Sequence, residues 1–148
     1  MKLKDWLDKK YTNKEQSNLI NLDCSGEGIT SLEGIEQLVN LEKLDCYNNK
    51  IISLKGIEKL VNLETLYCWD NKLTSLKGIE KLVNLEFLNC SYNKLTSLKG
   101  IEQLTKLDSL YSHNNPLPYS NYDLKNLKLD VKKEVRQDKI HKLLKSVL

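Results

Sequence analysis

Four cysteines, two histidines and scattered carboxylates are the residues with which this 148-residue chain could do chemistry. Cys24, Cys46, Cys68 and Cys90 come first, because a thiolate can serve as nucleophile, redox centre or metal ligand. Cys68 lies in the stretch Leu66-Tyr67-Cys68-Trp69-Asp70-Asn71. It is therefore either a reactive sulfur flanked by core aromatics or a buried one with two aromatics held outward. His113 and His141 are the only histidines, and neither belongs to a nucleophile motif, a zinc spacing or a phosphate-binding glycine loop. Asp45 and Asp70 resemble a carboxylate pair, which general acid–base chemistry would need.

The elements that position these residues follow from an internal period. The leucines 19, 41, 63, 85 and 107 recur every 22 residues, as do the leucines 22, 44, 66, 88 and 110. The four cysteines keep the same step, with Ser112 in the fifth place, and Asn49, Asn71, Asn93 and Asn115 follow three residues later. Gly34, Gly56, Gly78 and Gly100 each precede an isoleucine, and Leu38, Leu60, Leu82 and Leu104 complete the unit. About four and a half repeats fill residues 19–118. One repeat cannot bury its own leucines, whereas stacked repeats share a continuous core.

The unit L-x-x-L-x-C-x-x-N-x-L-x-x-L-x-G-I-x-x-L-x-x resembles the leucine-rich repeat. Its length and its Gly-Ile-x-x-Leu half are similar to the short class found in bacterial internalins and in a regulatory subunit of protein phosphatase 1. The resemblance implies an α/β fold: a right-handed horseshoe solenoid with a parallel β-sheet on the concave face and short helical or 3-10 turns on the convex face. It implies much less about function.

The residues carry the same reading independently. Apolar Leu66 and Cys68 alternate with Tyr67 and Trp69, and a period of two sends alternate side chains to opposite faces of a strand. The cysteines then stack inside. Parallel strands spaced about 4.8 Å apart hold their Cβ atoms beyond the roughly 3.5–4.5 Å of a disulfide. A single column of sulfurs also cannot surround an ion tetrahedrally. The expectation is four buried, reduced, structural thiols, with an asparagine column bonding backbone groups at the turns and glycines permitting a tight turn before each convex segment.

With the cysteines inside, the concave face displays three columns: Asn21, Lys43, Thr65, Phe87 and Ser109; then Asp23, Asp45, Tyr67, Asn89 and Tyr111; then Ser25, Tyr47, Trp69, Ser91 and His113. Gly26, Asn48, Asp70, Tyr92 and Asn114 form the rim. Aromatics on a strand can simply cover the sheet. Six of them on one face, Tyr47, Tyr67, Trp69, Phe87, Tyr92 and Tyr111, instead have the composition of a binding hot spot, with Asp45, Asp70, Lys43, Asn89 and His113 as polar neighbours. Asp45 and Asp70 fall in different columns and repeats on a wet sheet, where little would raise a carboxyl pKa. No catalytic constellation emerges, no cofactor or metal is implied, and the chain is expected not to be an enzyme.

The net charge of +3 hides a segregation. Residues 15–122 are net −4, residues 1–14 net +3 and residues 123–148 net +4. A phosphate backbone needs a basic stripe, which the concave columns lack, so nucleic acid is not expected there. The expected partner is a protein with a basic and apolar surface. The module would serve as adaptor or inhibitor, in the sharper version by filling a basic groove of a target enzyme as a compact viral or mobile-element effector would. The alternative is binding of nucleic acid or an acidic surface by the basic ends.

Residues 1–18 and 119–148 read as caps around the repeats of one domain. Leu3, Trp6 and Leu7 have helical spacing, and Thr12 to Glu15 resembles a capping box. Pro116 and Pro118 break the repeat, and Val131, Val135, Leu143, Leu144 and Val147 predict an amphipathic helix from about Asp130, interrupted on its apolar side by Asp138. Without a membrane-length apolar run or a signal-peptide pattern, and with few cysteines, the expectation is a cytoplasmic monomer.

Overall fold

The computed structural model describes residues 1–118 and 124–147. Five three-residue strands, β1 (Asn21–Asp23), β2 (Lys43–Asp45), β3 (Thr65–Tyr67), β4 (Phe87–Asn89) and β5 (Ser109–Tyr111), pair in sequence order as one parallel sheet. The register matches the sequence period, so Leu22, Leu44, Leu66, Leu88 and Leu110 stand opposite one another. Each strand returns to the next through a 3-10 turn on the convex side: Ile35–Gln37, Ile57–Lys59, Ile79–Lys81 and Ile101–Gln103. The leucine, isoleucine and cysteine columns fill the space between, forming one hydrophobic core from Leu3 to Val131.

The asparagine column bonds the backbone as expected, and it does so between repeats. Asn71 accepts from the Ile51 N–H at 2.9 Å and donates to the carbonyls of Cys46 at 2.9 Å and Cys68 at 3.2 Å. Asn49, Asn93 and Asn115 repeat the pattern. A primary amide is suited to this task because it donates and accepts at once.

Gly56, Gly78 and Gly100 have φ near +100°, and a Cβ on Gly100 would stand 2.7 Å from Ile79 Cγ2 of the preceding repeat. Positive φ and close stacking therefore both exclude a side chain. The glutamate two residues on turns back to bond each glycine N–H, as Glu102 Oε2 does to Gly100 at 2.7 Å. These convex carboxylates are thus structural, although the sequence presents them as ordinary surface charge.

At the N-terminal end α1 (Leu3–Lys10) buries Leu3, Trp6 and Leu7 over the first repeat. The predicted capping box opens α2 (Asn13–Ser17), with the Thr12 N–H donating to Glu15 Oε2 at 2.7 Å and the Glu15 N–H to Thr12 Oγ1 at 3.3 Å.

The C-terminal helix differs from expectation. The helix α3 runs Leu124–Val147, beginning before Asp130, because Leu127 extends the packing face by one turn and is as buried as Val131. The expected single apolar face is also divided. Val131 is buried and Val135 half-buried against the last repeat, whereas Leu143 is exposed; the side chains of Leu144 and Val147 lie outside the described residues, as do residues 119–123. Asp138, seven residues after Val131, lies on the docked side of the helix, where the apolar seam ends. It pairs with Lys99 of the last repeat, beside Glu134, which reaches Lys99 at 3.2 Å and Ser97 Oγ at 3.0 Å.

Candidate binding face

The side chains that alternate with the buried leucines and cysteines stand on the concave side, Tyr67, Phe87 and Tyr111 within the three-residue strands and Tyr47, Trp69 and His113 two residues past strand ends. Tyr47 and Trp69, in adjacent repeats of one column, stack with centroids 4.6 Å apart and planes 6° from parallel. Tyr67, Phe87 and Tyr111 form a second tier, tilted, at 4.9 and 5.5 Å. Tyr92 meets the edge of His113 at 5.2 Å. Each ring is thus held by another across the ladder: Tyr47 and Trp69 occupy equivalent positions of adjacent repeats, whereas Phe87 stands opposite Thr65 and Ser109 and meets Tyr67 and Tyr111 diagonally.

Polar neighbours flank the rings. Lys43 Nζ lies 3.0 Å from Asp45 Oδ2 and 5.3 Å from the Tyr67 ring centre, so the aromatic tier ends in a cation sandwiched between ring and carboxylate. The hydrogen bond from Lys43 to Asp45 raises the lysine pKa. Asn89 Oδ1 accepts from the Ser91 N–H at 3.1 Å. Ser91 belongs to a displayed column yet is buried, because His113 covers it with Nδ1 3.1 Å from its Oγ. Asp70 is exposed at the rim with no ion pair among the described residues.

The rim column has a property that the sequence signals only through its company. Gly26, Asn48, Asp70, Tyr92 and Asn114 all have φ between +51° and +69°. Glycine, asparagine and aspartate tolerate this left-handed region, whereas a bulky residue there is an outlier. Tyr92 nonetheless occupies it and is 52% exposed. A column of turn-favouring residues interrupted by one tyrosine was the available clue.

The cysteines are placed as expected. All four are free and buried, and Cys24 and Cys90 donate through Sγ to the carbonyls of Asp45 and Tyr111 at 3.5 and 3.4 Å. Burial pushes the Cys24 and Cys90 thiols up to about 12, and those of Cys46 and Cys68 well above the ordinary value. Protonated thiols in a dry column are poor nucleophiles and poor ligands. Among the described residues no group of three or more His, Cys, Asp or Glu side chains is disposed to hold a metal ion, and no helix is long and apolar enough to cross a membrane.

No curated protein matches the sequence. Among solved structures, the functional domain of InlJ from Listeria monocytogenes, described as including a cysteine ladder, is 36% identical with a TM-score of 0.69, over 78% of this chain and 25% of that one. An internalin, InlF, from Listeria monocytogenes strain 4b F2365 is 29% identical with a TM-score of 0.72, over 85% and 38% of the two chains. A leucine-rich-repeat protein of Leptospira interrogans is 36% identical with a TM-score of 0.68, over 75% and 29%. This chain therefore spans well under half the length of these three. The family model for leucine-rich repeats in two copies matches residues 17–59, 39–81 and 61–102, more than half of the sequence, and with the ladder of leucines and asparagines in register it places the chain in the leucine-rich-repeat family.

Proposed function

We propose that the chain is a non-enzymatic protein-binding module whose partner sits in the concave face. The observation that carries this reading is the set of cross-strand aromatic pairs, above all the Tyr47–Trp69 stack. Rings already locked against one another lose little conformational entropy on binding, and large aromatics at the centre of a patch are the residues that dominate interface energetics. Tyr92 supports the same reading from the backbone. A tyrosine kept at φ +53° costs about 1–3 kcal/mol, strain that concentrates at sites selected for something other than stability.

The partner favoured by the chemistry is a protein presenting basic and apolar groups, since Asp70 and Asp23 flank the rings and Lys43, the one lysine in the concave columns among the described residues, is already engaged by Asp45. Blocking a basic groove, as an inhibitor or adaptor acting as a monomer, fits this complementarity. Four free buried thiols suit a reducing compartment such as the cytoplasm. The test is a pull-down from source-cell lysate with the chain and with Tyr67→Ala/Trp69→Ala/Phe87→Ala, checked for an unchanged fold, at low and high salt. A protein held by the native chain at both salts and lost from the variant is the expected result. Equal capture by both forms would reduce the rings to sheet covering.

A further inference from the structure

The outer side of α3 has no role in closing the solenoid, and its composition is segregated. The inner side docks through Leu127, Val131 and Val135, while Lys128 Nζ donates to the Leu104 and Leu107 carbonyls at 2.7 and 3.3 Å. Both Glu134 and Asp138 turn to Lys99, and Asp130 pairs with Lys133. Lys132, Arg136, Lys139, Lys142 and Lys145 are all exposed and form no ion pair among the described residues. From Lys139 to the last residue the sequence contains three lysines and no carboxylate side chain.

Aliphatic residues stand among these cations. Leu129 is 52%, Ile140 46% and Leu143 66% exposed. Ile140 follows Val131 by nine residues, which at 3.6 residues per turn places it on the opposite side of the helix from the docked face. The helix therefore has two apolar stripes, one covered by the last repeat and one facing away from it amid Lys132, Arg136 and Lys139.

We infer that the outer face of α3, centred on Ile140, Leu143, Lys132, Arg136 and Lys139, binds an anionic lipid surface. Charge complementarity selects a negative partner. The aliphatics then choose among negative partners: phosphates of a nucleic acid would leave Ile140 and Leu143 against a polar backbone, whereas a bilayer takes aliphatics into its acyl boundary and lysine heads at the phosphates. The helix lies on such a surface and does not cross it. The acidic repeats are repelled by the same surface, so the tail makes the contact and the concave face stays open.

The test is co-sedimentation of the full chain with vesicles of phosphatidylcholine alone and of equal parts phosphatidylcholine and phosphatidylserine. Binding to the mixed vesicles only, weakening as salt rises, is expected. Lys132→Gln/Arg136→Gln/Lys139→Gln should lower partitioning on the order of a hundredfold, about fivefold per cation. Ile140→Ser/Leu143→Ser, which keeps every charge, should lower it about tenfold. All five positions are exposed, so both variants should melt with the native chain, and the salt titration tests the inference on the unmodified protein. Mixed vesicles that bind no better than neutral ones would overturn it. So would a serine pair that binds as well as the native chain, since the face would then be one for an acidic macromolecule.

Discussion

Asn71 shows how much a single side chain holds in a solenoid. Its amide satisfies the Ile51 N–H and the Cys46 and Cys68 carbonyls, all inside the core, so Asn71→Ala leaves several buried groups without partners at once. We expect a loss of about 3 kcal/mol in denaturant unfolding, well above that of an exposed Asn48→Ala. The cysteines make a prediction about pH. Their folded pKa values are raised, so the protonated thiol is the form the fold favours. That stability is fully present below the unfolded thiol value near 8.5 and drains away as pH climbs toward about 12. Melting temperature should therefore fall through this alkaline window, less steeply in Cys68→Val, and native thiols should resist alkylation at neutral pH. At the rim, Tyr92→Asn replaces a strained tyrosine with the residue found at positions 48 and 114. It should leave the melting temperature level or raised while weakening partner capture, an outcome that separates function from stability at that residue.

At the scale of elements, the two caps differ in how they close the core. The N-terminal α1 joins the solenoid through main-chain bonds as well as packing, with the Leu3 N–H donating to the Ser31 carbonyl at 2.9 Å and the Lys4 N–H to that of Glu33 at 2.8 Å. The docked half of α3 relies on side chains: Leu127, Val131, Lys128 and the carboxylates around Lys99. Burial of Lys128, with Lys132 nearby, lowers its pKa, as expected for a cation partly withdrawn from water to serve carbonyls. Leu127→Ala should cost about 2–4 kcal/mol and release α3 before the repeats unfold, seen as a first loss of helical signal on heating. The expected start at Asp130 is late because Leu127 and Leu129 alternate with Lys128 and point to opposite sides of a helix; only the docking of Leu127 on the last repeat shows which of them is covered. The capping box at Thr12 and Glu15 was legible because its bonds are local.

For the whole molecule, stability is a chain of neighbour contacts, each repeat touching the one before and after it. Amide exchange should then be slowest in the middle repeats, between Leu41 and Leu104, and fastest in α2, which buries no residue, and in α3 beyond Asp138. Faster exchange in the central strands than in α2 would contradict a core shared along the stack. The charge segregation acts on the same scale, with acidic repeats between basic ends.

The sequence by itself determined the repeat, its register, the inward set of leucines and cysteines and the outward set of aromatics, because a period of 22 residues in a parallel stack maps each position onto a fixed column. The tertiary structure alone decided which neighbours those columns acquire: that Tyr47 lies flat on Trp69, that His113 covers Ser91, that Tyr92 sits at positive φ, and that the acids of α3 face Lys99. Periodicity specifies direction, whereas contact across repeats and caps depends on ring size, rotamer and docking angle, quantities that no single repeat contains.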